Sequence, residues 1–285
     1  MNRRPRRGAR RPDRGPDRGN QRGQHGDRPS RPRPKDRSLG GEQIEGRQAV
    51  RELLTAARRR IREILVADDT ERNPVISEIM DIARAQRVTV RLVSRKEIDD
   101  QARSEAPQGV IAFADPLEET SLDDVLARAT TDKLFLVAVD GVTDPGNLGA
   151  ILRSCEGAGV DAVILPRHRA VHITPSAAKA AAGAIEYLTL CVTAGLPTAI
   201  QLMRDANVWV VGLDDAADKP VFGLGDLARE HICLVLGAEG PGLSRLVRER
   251  CDLIVSIPML GALSSLNVSA AAALATYEVV RARRQ

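Results

Sequence analysis

From residue 133 onward the chain repeats one pattern, a short apolar run followed by a stretch of helical periodicity. The runs fall at 134–139, 162–165, 187–192, 208–213, 232–236 and 253–257, and the helical stretches at 147–157, 176–184, 198–205, 244–250 and 268–284. A strand with one wet face alternates apolar and polar residues, whereas most of these runs are nearly unbroken, as strands buried on both faces tend to be. The alternation predicts an α/β domain built on a parallel sheet with helices on both faces. Ligands of such sheets bind beyond the carboxyl ends of the strands, so the loops leaving these runs are where chemistry is expected.

A smaller α/β unit precedes this domain. Ile44, Val50, Leu53, Leu54 and Ala57 lie near one face of a helix predicted over 44–60, a second helix is predicted over 75–86, and strands over 64–67, 88–93 and 109–114. The expected organisation is an arm at 1–40, a small domain at 41–115, a linker or connecting helix at 116–132 and the large domain at 133–285. A chain of 285 residues that is 43% hydrophobic can bury two such cores.

Charge divides along the same lines. Residues 1–40 hold 14 of the 42 Lys and Arg but 4 of the 38 Asp and Glu, leaving 28 basic and 34 acidic residues for the remainder. The arm therefore carries +10 and the body −6. With Met1, Ala9 and Leu39 as its apolar side chains, the arm has nothing to offset the entropy of ordering and is expected to be disordered. Such an arm favours RNA, DNA or an anionic surface through counterion release, although it lacks aromatics to stack on bases; the alternative is a solubilising tail. No apolar run approaches a bilayer span and no signal-peptide core is present, which predicts a soluble, cytoplasmic protein with no membrane partner. Cys155, Cys191, Cys233 and Cys251 are widely spaced without a C-x-x-C pair, which argues against a disulfide framework and against a metal site.

Three loops carry the unusual residues. Asp140-Gly-Val-Thr-Asp-Pro-Gly-Asn147 runs from a strand into a helix that carries Arg153 six residues on. Asn147 can cap that helix, and Arg153, between Leu152 and Ser154 on a helix expected to pack on the sheet, calls for a partner. The glycines match neither a P-loop nor G-x-G-x-x-G, and Gly157 and Gly159 follow a helix, so they read as its C-cap. The second loop, Gly237-Ala-Glu239-Gly240-Pro-Gly242, surrounds one carboxylate with glycines that either expose backbone to a ligand or simply make a tight turn. In the third, Ile257-Pro-Met259 leads to Ser264, Ser265, Asn267 and Ser269, four polar groups in six positions before an Ala-rich helix, more than one helix start requires.

The ordered set Asn147-x-Gly149-x-x-x-Arg153, Gly237-x-Glu239-Gly240-x-Gly242 and Ile257-Pro258-Met259 to Ser265-Leu266-Asn267-Val268-Ser269 resembles the three motifs of the SpoU/TrmH branch of the SPOUT RNA methyltransferases. The likeness covers about residues 41–285, and the 140–147 phrase looks closest to bacterial enzymes that methylate a guanosine 2′-oxygen in 23S ribosomal RNA. The resemblance implies a deep C-terminal trefoil knot, a homodimer with the terminal helix in its interface, and a ribosomal-protein-like RNA-binding fold for the small domain. It implies S-adenosylmethionine as cofactor, cradled by backbone groups at Gly237, Ile257 and Leu266. Asn147, Arg153, Glu239, Ser265 and Asn267 match the residues around the target nucleotide, with Glu239 expected to orient Asn147 or Arg153. Arginine matches the residue assigned to activate the hydroxyl, yet with a pKa above about 12 it is a poor base, so Arg153 is expected mainly to hold ribose and phosphate in line. The small domain departs from the family at Pro107, which stands before Gln108-Gly109 where the family usually has His. Other readings are the same chemistry on transfer RNA, or a non-catalytic RNA-binding protein. Arg167, Arg169 and Lys179 are candidate RNA contacts on the acidic body.

Overall fold

The computed structural model describes residues 38–70, 73–130, 133–167 and 172–285. The basic arm up to residue 37, and Arg169, lie outside the described residues.

The large sheet is fully parallel. Its strands are β5 (Phe135–Val139), β6 (Ala162–Pro166), β7 (Leu190–Thr193), β8 (Trp209–Leu213), β9 (Ile232–Leu236) and β10 (Leu253–Val255), in the spatial order β10-β8-β9-β5-β6-β7. Successive residues of β5 serve different layers: Phe135, Val137 and Val139 enter one core, Leu136 and Ala138 the other. Both faces are covered, which is why these strands read as unbroken apolar runs. Helices α5 (Pro145–Gly157), α6 (Pro175–Ala180) and α9 (Val268–Arg284) contribute to the first core, and α4 (Leu122–Leu126), α7 (Leu196–Asp205) and α8 (Arg245–Arg250) to the second. The connecting segment thus carries a helix whose Leu122, Val125 and Leu126 pack into the large domain. Helix α5 crosses α6 so closely that a Cβ on Gly149 would stand 2.4 Å from the Ala177 carbonyl oxygen.

The small sheet has the order β1-β4-β2-β3, from β1 (Gln43–Glu45), β2 (Ile61–Ala67), β3 (Val90–Val93) and β4 (Val110–Ala114), with α1 (Arg47–Ala56), α2 (Pro74–Ala85) and α3 (Arg95–Gln101). The helix expected from Ile44 begins three residues later, because Gln43 to Glu45 pair antiparallel with β4 and Gly46, at φ 93°, turns the chain out of the strand. The helix expected over 176–184 stops at Ala180, and the left-handed Ala182 and Gly183 lead into a short 3-10 turn at Ala184–Glu186.

The two sheets share one apolar core, in which Ile44, Leu53 and Ile64 join Val137, Val163 and Ile185. Polar contacts reinforce that junction. Arg59 pairs with Glu186 at 2.6 Å, both side chains almost fully buried, and the Tyr187 hydroxyl donates to Glu52 at 2.8 Å. Among the described residues no helix is long and apolar enough to cross a membrane, and no cluster of His, Cys, Asp or Glu could hold a metal.

Candidate active site

Because β8, β9 and β10 are neighbours in the sheet, the loops leaving them meet at one end. Leu213 ends β8 and Asp214 and Asp215 follow it, Gly237 to Gly242 follow β9, and Ile257, Met259 and Ser264 to Leu266 follow β10. With Arg248 they line a cavity of about 330 Å³, the size of a small-ligand site. Strand β10 ends at Val255, two residues short of the end of its apolar run, and Ile257 lies in the cavity wall. Gly237, Ile257, Ser265 and Leu266, all expected in the site, lie in this wall.

The β9 loop closes on itself. Ala238 and Gly242 exchange backbone hydrogen bonds of 3.0 Å, and a Cβ on Gly237 would stand 2.4 Å from the Gly242 carbonyl carbon. The turn's own packing therefore requires glycine at 237, without any approach by a ligand.

Beside the cavity stands a polar ring. The Asn267 side-chain amide donates to Glu239 Oε1 at 2.7 Å and to Asn147 Oδ1 at 2.9 Å. Its own Oδ1 caps α9, accepting from the Ser269 N–H at 2.9 Å, and this backbone donor fixes which way the amide points. The bridge between Glu239 and Asn147 is therefore Asn267, where the sequence predicted a direct bond from Glu239. Nor does Asn147 cap α5. Asp144 does, accepting the Asn147 N–H at 2.7 Å, which leaves the Asn147 side chain available to the ring. Asp140 Oδ2 accepts the Ser244 N–H at 2.7 Å and so ties the first loop to the second.

Arg153 does not join this assembly within one chain. Six residues advance a helix about 9 Å and rotate it well off the starting face. Arg153 is exposed and makes no hydrogen bond or ion pair among the described residues, so the expectation that packing on the sheet would force a partner on it was wrong. Two of the other expected surface cations are engaged: Arg167 pairs with Glu119 at 2.9 Å, and Lys179 donates to the carbonyls of Glu105 and Ala106.

Sequence reasoning missed Asp214, Asp215 and Arg248. Asp214 is paired with Arg248, and their hydrogen bond holds the guanidinium's pKa above its ordinary value. The signal was available, since Asp214-Asp215 follows an apolar run at the same end of the sheet as the glycine loop. The cysteines are free thiols; burial pushes Cys155 and Cys251 up to about 12 and Cys191 up to about 11, leaving them protonated and unreactive at neutral pH.

A parallel sheet with a polar ring and a cavity at its carboxyl end accords with the comparisons. The SpoU rRNA Methylase family model matches residues 134–277, and a model described as RNA 2′-O ribose methyltransferase substrate binding matches residues 43–120. The chain belongs to the SpoU rRNA methylase family. Among its curated relatives, the 23S rRNA (guanosine-2′-O-)-methyltransferase RlmB of Escherichia coli strain K12 is 38% identical over 245 residues, covering 85% of this chain and 99% of that protein. RlmB of Photorhabdus laumondii is 40% identical over 246 residues, covering 84% and 98%. Among solved structures, the SpoU methyltransferase AviRb from Streptomyces viridochromogenes in complex with the cofactor AdoMet gives a TM-score of 0.70 at 26% identity, covering 85% of this chain and 90% of that one.

Proposed function

We propose that the chain transfers a methyl group from S-adenosylmethionine to the 2′-oxygen of a guanosine in 23S ribosomal RNA. The observation that carries this reading is the meeting of Asn147, Glu239 and Asn267 beside a cavity at the carboxyl end of a parallel sheet, in a chain that matches nearly the whole length of RlmB.

The cavity suits the cofactor. Leu213, Leu236, Ile257 and Leu266 offer apolar surface for a flat adenine, the 237–242 backbone offers groups for its edge, and Asp214, Ser264 and Ser265 offer partners for hydroxyls and the amino-acid end. When bound, the cofactor supplies an electrophilic methyl carbon on a sulfonium centre. The chain's own residues then have to orient the ribose. Asn267 holds Asn147 and Glu239 in fixed relation, leaving the Asn147 amide as donor and the second Glu239 oxygen as acceptor for the target nucleotide. Orientation of this kind lowers the barrier without demanding a strong base.

Arg153 enters from a second copy of the chain. Its exposure on α5 supports this arrangement, as do Leu274 and Tyr277, exposed on the neighbouring α9, and Leu260 and Leu263 in the loop after β10. The same route supports a trefoil knot, because the chain leaves the sheet edge at β10 and returns along α5, past the 237–244 loop that shares its cavity. The protein is then a homodimer whose small domain, at 41–115, contacts the RNA.

Tritium transfer from labelled S-adenosylmethionine to 23S rRNA tests the reading, with 2′-O-methylguanosine as the expected product. Arg153→Ala and Asn267→Ala should each lower turnover about a hundredfold, the scale of losing one preorganised hydrogen-bonding group. Near-full turnover by Arg153→Lys would show that the fork geometry of arginine plays no part.

A further inference from the structure

A second groove, of about 590 Å³, lies where the small domain meets the large one. One wall is formed by Gln48 of α1 and the loop from Ser104 to Gln108, the other by Asp144 to Gly146 at the start of α5 and by Ser176 and Lys179 of α6. Its position, rigidity and chemistry point the same way.

The small-domain wall is held in a conformation it would not adopt alone. Ala106 and Gln108 have φ of 51° and 59°, a left-handed backbone that costs non-glycine residues energy and persists where the surroundings impose it. Fully buried Glu45 accepts the backbone N–H groups of Arg103 at 2.7 Å and Ser104 at 3.0 Å. The Arg47 N–H donates to Gln108 Oε1 at 3.0 Å, and Lys179 reaches across from the large domain to the Ala106 carbonyl at 2.8 Å. The groove is thus preformed.

Its chemistry disfavours a phosphate. Lys179 is already engaged with carbonyls, and Glu105 and Asp144 add carboxylates to the walls. Two uncharged polar side chains of the lining make no hydrogen bond among the described residues: the Gln48 amide on one wall and the Ser176 hydroxyl on the other. An amide and a hydroxyl match the mixed donor and acceptor edge of a nucleobase, the group by which single-stranded RNA is read. The position links it to the reaction, since Asp144, in the groove wall, also holds the N–H of Asn147 in the polar ring.

We infer that this groove receives one unpaired base flanking the methylated nucleotide and reads its hydrogen-bonding edge with Gln48 and Ser176. The inference rests on the RNA methyltransferase reading above and adds to it a site of sequence discrimination.

The full chain is first used to map the methylated guanosine in a 23S rRNA transcript. Tritium transfer is then measured on a hairpin carrying that guanosine and on hairpins in which each flanking base in turn is abasic. With the wild-type chain one abasic hairpin should lose about tenfold in kcat/KM, the scale of one or two lost hydrogen bonds. Gln48→Ala and Ser176→Ala should lose about as much together on the intact hairpin, chiefly in KM, and nothing further on that abasic one. Gln48→Trp, which fills the groove, should lose more than either. Calorimetry with S-adenosylmethionine should give wild-type affinity for all three variants and so verify their folding. Wild-type kcat/KM for all three on every hairpin, or equal loss on every abasic hairpin, would overturn the inference. Absence of methyl transfer by the wild-type chain would instead overturn the methyltransferase reading and the groove with it.

Discussion

Where the small sheet meets the large one, the chain closes its own surface; in the loop after β10 it does not. At the junction the Arg59 and Glu186 side chains are 6% and 1% exposed and paired at 2.6 Å, within a core continuous across both sheets. In the loop, Leu260 is 99% and Leu263 76% exposed. Burying a leucine side chain is worth about 1.5–3 kcal/mol, so two leucines left in water represent association energy that one copy of the chain does not use. The small domain is thus packed into the chain's own core, while the half that carries the polar ring leaves Arg153 and these leucines in solvent, as the homodimer proposed above needs.

The largest expected effect breaks the closed side. Arg59→Met leaves Glu186 buried without its partner and should cost about 3–5 kcal/mol in urea unfolding. Replacing both, as Arg59→Met with Glu186→Leu, should recover most of that loss, and an unchanged midpoint in the single variant would show that the junction does not hold as tightly as its geometry implies. Next comes the open side. If the proposed homodimer uses this loop, Leu260→Asp with Leu263→Asp should shift sedimentation from dimer toward monomer while leaving monomer stability within about 0.5 kcal/mol, as for surface substitutions; a dimer of undiminished affinity would place the interface elsewhere, and a monomeric wild-type chain would overturn the homodimer.

The smallest effect lies away from both regions. His231, at the amino end of β9, accepts the Leu134 N–H through Nδ1 at 3.2 Å, and burial, reinforced by the charges of Lys133 and Arg283, lowers its pKa below the ordinary 6.5. The folded state thus favours neutral imidazole. The stability this contributes is complete above about pH 6.5 and is lost as pH falls through the depressed folded value. A His231→Gln variant should lose part of the wild-type decline in thermal midpoint between pH 7 and 5.

Much of the site was legible because its residues cluster in sequence at strand ends. Gly237, Ile257, Ser265 and Leu266 reached the cavity wall, and Asn147, Glu239 and Asn267 came together from three separate loops. Less legible was who bonds whom. Asn147 lost the capping role to Asp144 because a helix start offers several competing acceptors, and only the final φ values decide among them. Arg153 was misjudged because the one-dimensional string does not say which side of α5 faces the sheet. Strand β1 went unseen because three residues are too few for periodicity, and its pairing with β4 is nearly 70 residues away in sequence.

By itself the sequence determined the alternation of buried strands and helices, the split between a basic arm and an acidic body, and the identity of the residues at the strand ends. These are local properties, set by side-chain period and composition. Tertiary structure alone decided that β9 lies between β8 and β5, so that loops leaving β8, β9 and β10 share one cavity lined by both Asp214 and Gly237. Strand order follows from which apolar faces pack together over long separations, and that is a property of the whole core that no short segment carries.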